Sequence, residues 1–300
     1  TEKNMRTAFI AIVGRPNVGK STLMNHLLGE KVAIVSPKPQ TTRNRIAGIL
    51  TKGEDQYVFL DTPGVHHAKN KLGEFMMKTV RSSVGSADAV ILIAEAGYPA
   101  GEIEKNLINQ IKKSELPSIL VLNKIDLVNR EKLAETIANY AALHDFDAVV
   151  PTCAETGKNV SDVLDEAEKF LYEGEWMFDE DSLTDQPERQ IAAEIIREKL
   201  LRTLSDEIPH GTAVVIEQFD EDDKMIRIRA EIYCEKQSHK GIIVGKNGET
   251  LKKIGTYARE DMEAFFGTKV YLNLWVKVKE KWRDDQLSLN SFGFKPEQNM

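Results

Sequence analysis

Cysteine is scarce in this 300-residue sequence, which has only Cys153 and Cys234. Two cysteines so far apart form no disulfide framework and no CxxC pair of the kind that binds zinc. We expect two free thiols, buried or half-buried, in a reducing compartment. Long apolar runs are also lacking, since Ala89–Ala96 is far shorter than the ~20 residues that a membrane-spanning helix needs.

The N-terminal residues lack the basic segment, apolar segment and cleavage site of a secretory signal, so we expect a cytoplasmic protein. An excess of positive charge is lacking as well, because 40 Lys and Arg face 47 Asp and Glu, for a formal net charge of −7. That balance argues against a nucleic-acid binder, although net charge averages over domains. The 41% hydrophobic content excludes a disordered chain, and 300 residues suggest roughly two or three domains.

Short apolar runs alternate with amphipathic helical patterns in the first half of the chain. The runs predict buried strands over Thr7–Val13, Tyr57–Leu60, Ala89–Ala94, Ser118–Leu122 and Ala148–Pro151, with Ile46–Lys52 as an edge strand. Helices are predicted over Lys20–Leu28, Glu102–Lys113, Glu131–Leu143 and Val160–Leu171. This alternation predicts an α/β domain over residues 1–173 with a doubly wound, mostly parallel sheet.

The chain changes character after residue 173. Residues 174–187 are acidic and irregular, so we interpret them as a linker. Residues 188–284 predict a smaller α+β domain in the order helix–strand–strand–helix–helix–strand, followed by a tail over 285–300. Its predicted segments are Glu188–Leu204, Thr212–Phe219, Met225–Cys234, a short apolar stretch at Gly241–Gly245, Glu249–Phe266 and Lys269–Val278.

A phosphate-binding loop follows the first strand. Residues 14–21, GRPNVGKS, fit the pattern GxxxxGK[ST] between a strand and a helix, which is the context that the pattern requires. Backbone N–H groups of such a loop surround phosphates, Lys20 reaches the β and γ oxygens, and Ser21 is placed to coordinate Mg²⁺. The predicted nucleotide-binding residues here are Gly14, Arg15, Pro16, Asn17, Val18, Gly19, Lys20, Ser21 and Thr22.

A second motif, DTPG, ends the strand Tyr57–Leu60 and places a carboxylate beside the phosphate-binding loop. Asp61 can hold Mg²⁺, and the N–H of Gly64 can meet a γ-phosphate. Thr62 and Pro63, between them, are assigned to the same nucleotide site.

A third motif, NKID, follows the strand Ser118–Leu122 and predicts which base is bound. The Asp126 carboxylate offers two acceptors that match the N1–H and amino donors of guanine, whereas adenine presents an acceptor at N1. Asn123 and Lys124 can brace the loop and lie along the base. Three motifs in this order, each after a strand, predict a GTP-binding domain.

With these motifs the chain resembles the translation-factor-related GTPases, and most closely the Era family of bacterial GTPases, from about Thr7 to Phe294. The resemblance implies slow hydrolysis of GTP to GDP and phosphate, with catalytic roles for Lys20, Thr42, Gly64 and Asn17. It implies that Thr42, with Thr41 as the alternative, binds Mg²⁺ together with Ser21 and Asp61. It also implies guanine contacts from Thr152, Cys153 and Ala154, of which Ala154 acts through its backbone. Related proteins usually have serine in place of Cys153.

Ras-like enzymes orient the attacking water with a glutamine directly after the DxxG glycine. Val65 occupies that position here and cannot orient water. Because an asparagine matching Asn17 helps to bind K⁺ in related GTPases, K⁺ dependence is a further hypothesis.

A GxxG loop, Gly245-Lys246-Asn247-Gly248, lies between two helical stretches of the second domain, which resembles a type II KH domain. Its glycines allow close approach to a sugar–phosphate backbone, and KH domains clamp about four nucleotides. Residues 236–283 carry eleven Lys and Arg against five Asp and Glu, which is typical of a nucleic-acid footprint. The predicted RNA-binding residues are Lys240, Ile243, Val244, Gly245, Lys246, Asn247, Gly248, Lys252 and Lys253.

The Era resemblance implies a monomer that binds the 3′ end of 16S rRNA and acts in maturation of the small (30S) ribosomal subunit. A metabolic P-loop kinase or ATPase is the alternative enzyme, and the NKID motif disfavours it. An RNA-binding scaffold with structural GTP is the non-enzymatic alternative. Peripheral association with the inner face of the cell membrane, through the basic C-terminal face, is a third.

Overall fold

The computed structural model describes residues 4–295, which form two units. Unit 1 comprises the described chain up to His67 together with Met76–Asp185, and unit 2 comprises Ala68–Phe75 together with the described chain from Gln186 onward. The later change of unit, after Asp185, falls inside the segment predicted as a linker. The predicted domain bounds themselves stay predictions.

Unit 1 contains a mixed seven-stranded sheet with strand order β2-β3-β1-β4-β5-β6, while β7 pairs with β1. Pairing is parallel except for β2 with β3 and β7 with β1. The strands are β1 (Arg6–Val13), β2 (Ile46–Lys52), β3 (Asp55–Asp61), β4 (Ala89–Glu95), β5 (Ser118–Asn123), β6 (Ala148–Pro151) and β7 (Tyr172–Glu173). The helices are α1 (Lys20–Leu28), the part of α2 (Lys71–Gly85) from Met76 onward, α3 (Glu102–Ser114), α4 (Arg130–Ala141) and α5 (Val160–Glu168).

The central strands are apolar at every position because helices cover both faces of the sheet. All six residues of β5 are buried, as are the first six of β4. The α/β class and the mostly parallel sheet are confirmed. One helix, α2, was not predicted, although Leu72, Met76, Val80 and Val84 recur every fourth residue and are all buried.

The segment predicted as a linker packs along the sheet of unit 1. The side chain of Gln56 accepts the N–H groups of Met177 and Phe178 at 3.0 and 3.1 Å. Phe178 also packs on a small apolar cluster formed by Ala47, Val58 and Leu60. Gly48 forms an isolated bridge with Thr184. The backbone of the segment also bonds to the sheet directly, since the N–H of Ile49 donates to the carbonyl of Leu183 at 2.9 Å.

Unit 2 has the predicted order of elements and a three-stranded sheet, β10-β9-β8. β9 pairs antiparallel with β8 and parallel with β10. The elements are α6 (Glu188–Thr203), β8 (Ala213–Glu221), β9 (Met225–Cys234), α7 (Gln237–Val244), α8 (Glu249–Phe266), β10 (Lys269–Val278) and α9 (Gln286–Ser291). Apolar residues of α6, α7 and α8 pack on one face of this sheet and form its core.

The described part of the predicted tail is folded into unit 2. Trp282 has no exposed surface, and its indole N–H donates to the carbonyl of Gly211 at 2.9 Å. Its ring contacts Phe292 and Phe294 with centroid separations of 5.4 and 6.0 Å. Residues 296–300 of that tail lie outside the described residues. Within residues 4–295, no helix has the length and apolar character needed to cross a membrane.

Candidate nucleotide-binding site and nucleic-acid interface

The carboxyl ends of four parallel strands of unit 1 bring the predicted motifs together. β1 ends at Val13, directly before the phosphate-binding loop, and β3 ends at Asp61. β5 ends at Asn123, and β6 ends at Pro151. Because these strands are parallel, their ends lie along one edge of the sheet, where α/β proteins bind nucleotides.

The three oxygen ligands predicted for Mg²⁺ lie close together. Ser21 Oγ donates to Asp61 Oδ2 at 2.5 Å, and it lies 3.1 Å from Thr42 Oγ1. The hydroxyl of Thr41 instead donates to the carbonyl of Lys38 at 2.7 Å, which favours Thr42 as the ligand. Among the described residues, the buried Oδ1 atom of Asp61 has no hydrogen-bond partner. Hard oxygen donors with one unsatisfied carboxylate oxygen fit a Mg²⁺ ion.

Burial shifts the pKa of two charged groups in this site. Desolvation lowers the pKa of Lys20 to about 8, against an opposing attraction to Asp61. Desolvation also raises the pKa of Asp61 to about 6, although the hydrogen bond from Ser21 opposes this shift. Phosphate oxygens beside Lys20 and a cation beside Asp61 would each stabilise the charged form.

Lys20 and Gly64 both lie against the phosphate-binding loop. The ammonium of Lys20 donates to the carbonyls of Arg15 and Gly14 at 2.6 and 3.2 Å. A Cβ atom on Gly64 would lie only 2.6 Å from the Cα atom of Pro16. The last residue of the DTPG motif therefore has to be glycine for this backbone to approach the loop.

Three predicted nucleotide-binding residues are buried and support the site from beneath. Thr62 is fully buried and donates from Oγ1 to the carbonyl of Ile12 at 2.7 Å, and Pro63 is buried beside it. Val18 belongs to the core of unit 1. The side chains of Thr62 and Val18 therefore support the backbone of the site from within the protein. Backbone N–H groups and Lys20 are the groups that remain to bind phosphate.

A cleft lies over the phosphate-binding loop. Asn17 is exposed there, with a φ of 62°, and its side chain makes no hydrogen bond to any residue from 4 to 295. Its amide oxygen is therefore available to a ligand. The cleft is lined by Pro16, Asn17, Gly19, Lys20, Ser21, Thr22, Ile34, Val35, Ser36, Gln40, Thr41, Thr42 and Gly64.

Asn123 joins three parts of the site. Its Nδ2 donates to the carbonyl of Val18 at 2.8 Å, and its Oδ1 accepts from Thr152 Oγ1 at 3.1 Å and from the Ala154 N–H at 2.8 Å. Asn123 is 3% exposed, so loss of its side chain would leave buried polar groups unpaired. The bracing role predicted for Asn123 is thus visible in its contacts.

The other predicted base-binding residues differ in their hydrogen bonds, ion pairs and burial. Asp126 is exposed and makes no hydrogen bond or ion pair within the described chain, which leaves both carboxylate oxygens for a base. Lys124 pairs with Glu95 at 2.9 Å. The N–H of Ala154 is engaged by Asn123, so its predicted contact with guanine requires a shared hydrogen bond. Cys153 is 5% exposed, and its N–H donates to the carbonyl of Lys158 at 3.2 Å.

One brace of the phosphate-binding loop was not predicted. Arg15 forms a bidentate ion pair with Glu104 of α3, whose carboxylate also accepts the N–H of Gly101 at 2.9 Å. Glu104 is buried although it is charged. Its place in the first turn of α3 predicts a helix cap, but nothing in the spacing links it to Arg15.

In unit 2, the predicted RNA-binding loop joins α7 to α8. Gly245 has a φ of 75°, and a Cβ atom there would collide with Thr250, so this position needs glycine. The N–H of Gly248 donates to the carbonyl of Gly245 at 3.2 Å and closes a tight turn. Lys246 and Asn247 are exposed at its tip. The loop therefore presents a cation and an amide on a closely approachable backbone.

A groove of about 400 Å³ runs from this loop between α8 and β10. Of the predicted RNA-binding residues, Gly248 and Lys252 line it. The side supplied by β10 was not predicted, although alternation in this strand leaves Tyr271 exposed. The lining consists of Gly248, Leu251, Lys252, Gly255, Thr256, Arg259, Tyr271, Leu272, Asn273 and Leu274.

Seven of the predicted RNA-binding residues do not line this groove, and four of these seven lie outside the GxxG loop. Ile243 is fully buried in the core of unit 2, so its side chain packs instead of contacting RNA. Val244 packs against the same core. The Lys253 ammonium lies 5.9 Å from the ring centroid of Tyr257. Lys240 is likewise absent from the lining. The apolar residues at 243–244 pack on the core of unit 2, as apolar residues of amphipathic helices usually do.

The fold and the two sites define a P-loop GTPase domain joined to a KH domain. Residues 9–124 match the family described as "50S ribosome-binding GTPase", and residues 207–283 match the KH domain family. GTPase Era of Ruminiclostridium cellulolyticum is 47% identical over 98% of this chain and 99% of that protein. GTPase Era of Clostridium kluyveri is 48% identical over 97% of this chain and all of that protein. The chain belongs to the Era family of GTPases.

Two solved structures resemble the whole chain. One is Era in complex with MgGDPNP and nucleotides 1506–1542 of 16S ribosomal RNA, with 38% identity and a TM-score of 0.93. The other is a variant of Aquifex aeolicus Era bound to GDP and AlF4⁻, with 39% identity and the same TM-score. Each match covers 97% of this chain and 99% of the other. The predicted GTPase activity and the predicted family are confirmed.

Proposed function

We propose that this GTPase is a GTP-dependent switch that binds the 3′ end of 16S rRNA through unit 2 and acts in maturation of the small ribosomal subunit. The observation that carries the proposal is the match of both units, within one chain, to the Era complex with a 16S rRNA fragment. The groove beside Gly248 supports it, because cationic side chains of α8 line the path that RNA follows in KH domains. This function takes place in the cytoplasm.

The proposal assigns a GTP–Mg²⁺ site to unit 1. Ser21, Thr42 and Asp61 hold the ion, as their converging oxygens and the unpaired Asp61 Oδ1 support. A Mg²⁺ ion held by these residues would neutralise phosphate charge. Lys20 binds the phosphate oxygens, and the N–H of Gly64 meets the γ-phosphate. Loss of that phosphate on hydrolysis frees Thr42 and Gly64, which is how such switches change state.

Hydrolysis lacks the water-orienting glutamine, since Val65 follows Gly64. We propose that K⁺ supplies part of the missing charge stabilisation and that the free amide oxygen of Asn17 helps to bind it. A monovalent cation at the phosphates would stabilise developing negative charge as an arginine finger does.

We expect turnover at saturating GTP to be about tenfold faster in K⁺ than in Na⁺ at equal ionic strength, a difference of about 1.4 kcal/mol in the barrier. Phosphate release measures it. The Asn17→Ala variant should lose the difference between the two ions while it retains GDP affinity. Equal turnover of the unaltered protein in both salts would reject the role of K⁺.

RNA crosslinking tests the RNA half of the proposal. The full chain, loaded with a non-hydrolysable GTP analogue or with GDP, is irradiated with small-subunit RNA, and crosslinked fragments are sequenced. We expect 16S 3′-terminal fragments to be enriched with the GTP analogue and the crosslinks to fall near Gly245–Gly248. A Lys246→Ala, Asn247→Ala double variant should reduce them several-fold.

Lys224→Ala is the matched control, since this exposed cation lies in the turn between β8 and β9 and not in the groove lining. It should leave the crosslinks unchanged. If no crosslink falls near the GxxG loop in either nucleotide state, the RNA function is wrong. If crosslinks are equal with GDP and with the GTP analogue, unit 2 binds RNA but its binding does not depend on the nucleotide, and the proposed switch is wrong.

A further inference from the structure

We infer that unit 2 has a second surface for single-stranded RNA, on the outer face of its sheet beside β10, which continues the path of the groove. The surface consists of Lys269, Tyr271, Asn273 and Trp275 of β10 with Arg229 of β9, and we name it the outer strip. This inference rests on the proposed binding of RNA by the groove.

Alternation along β10 separates the two faces of the sheet. Val270 and Val276 are buried in the core, and the partly buried Leu272 and Leu274 pack against it. The residues between them lie outside this core, and Trp275 is 52% exposed in the full described chain. The outer strip is therefore accessible surface and not an uncovered part of the core.

The aromatic residues of the outer strip are arranged for stacking. Tyr271 is 58% exposed, and Trp275 lies four residues further along the strand, at a distance of roughly 13 Å. The guanidinium of Arg229 lies 5.7 Å from the ring centroid of Trp275. Exposed aromatic rings on a sheet, with arginine beside them, stack unpaired bases and are a recurring feature of single-strand RNA binding.

The charge of the outer strip suits a phosphate backbone. Lys269 and Arg229 contribute two positive charges, and none of its five residues is acidic. The nearby carboxylate of Glu231 is 4% exposed and pairs with Lys277 at 2.5 Å and with Arg229 at 3.9 Å, while the hydroxyl of Tyr233 donates to it at 2.6 Å. The two exposed rings therefore stand beside cationic side chains, an arrangement that suits stacked bases joined by phosphates.

The groove and the outer strip meet at the edge of the sheet. β10 is an edge strand, so one side of its backbone is unpaired within the sheet. Tyr271 and Asn273 line the groove and belong to the outer strip as well. A KH groove holds about four nucleotides, so a longer strand has to leave it. The edge of β10 is where such a strand reaches Trp275.

Fluorescence anisotropy with two single-stranded RNAs tests the inference on the full chain loaded with a GTP analogue. One RNA has about four nucleotides and fills only the groove, and the other extends it to about ten. We expect Trp275→Ala to weaken binding of the longer RNA about tenfold, as loss of one base stack does, and to leave the shorter one unchanged. Trp275→Phe, which keeps a ring, should restore most of the affinity.

Tyr257→Ala is the matched control, because Tyr257 is also an exposed ring beside a cation, Lys253, but lies outside the groove lining and the outer strip. It should leave both affinities unchanged. If Trp275→Ala binds the longer RNA as tightly as the unaltered protein does, the inference is overturned and the outer strip is left to a protein partner. If neither RNA binds the unaltered protein, the proposed RNA function itself fails.

Discussion

Replacing Asp126 with asparagine should lower the affinity for GTP on the order of 10³-fold and create affinity for xanthosine triphosphate. The carboxylate accepts hydrogen bonds from N1–H and from the amino group of guanine. An amide presents one acceptor and one donor, so its donor would face the guanine amino group. Xanthine carries an oxygen at that position and keeps N1–H, so the amide matches it. Calorimetric titration of each protein with each of the two nucleotides measures the change.

The structure makes this substitution a clean test of base recognition. Asp126 is exposed and carries no hydrogen bond or ion pair among residues 4–295, whereas the neighbouring Asn123 holds the site together. The variant should therefore fold as before. Asp145→Asn, at another exposed carboxylate of unit 1, should leave both nucleotide affinities unchanged. A protein that binds GTP as tightly after Asp126→Asn as before would contradict the guanine assignment.

Much of the nucleotide site could be predicted from sequence because each motif directly follows a buried strand. Parallel strands bring their carboxyl ends to one edge, so Asp61 and Asn123 could be placed beside the phosphate-binding loop without coordinates. The ion pair between Arg15 and Glu104 could not, since it joins residues far apart in the chain with no shared pattern. The groove lining from β10 was missed because the alternation of a strand does not show which helix packs beside it.

The helix α2 was not predicted, and the segment interpreted as a linker makes contacts that its composition does not indicate. The helix α2 includes Gly73 and the pair Ser82–Ser83, which lower helix propensity, and its packing against the core outweighs that cost. The stretch 174–187 is acidic, which is typical of a solvated connection, yet its Phe178 packs on an apolar cluster of unit 1. Ile243 was predicted to contact RNA because it is apolar and lies beside the GxxG loop, but its side chain is buried in the core of unit 2.

The largest effect on stability should come from Trp282, which anchors the C-terminal segment on unit 2. Trp282→Ala should reduce the free energy of unfolding of unit 2 by about 3–5 kcal/mol, as large-to-small changes of fully buried aromatic residues do. The change removes the ring contacts with Phe292 and Phe294 and leaves the carbonyl of Gly211 without its donor. Trp282→Phe keeps a ring and loses the N–H, so it should cost about 1–2 kcal/mol.

Denaturant unfolding of the full chain, followed by circular dichroism, measures these losses, while binding of a fluorescent GDP analogue reports unit 1 separately. Trp275→Ala is the matched control, because that ring is half exposed and its removal leaves no cavity. If Trp282→Ala unfolds at the same denaturant concentration as this control, the C-terminal segment does not stabilise unit 2. If Trp282→Ala instead lowers the midpoint while GDP binding persists, the stretch predicted as a tail is part of the fold that presents the GxxG loop.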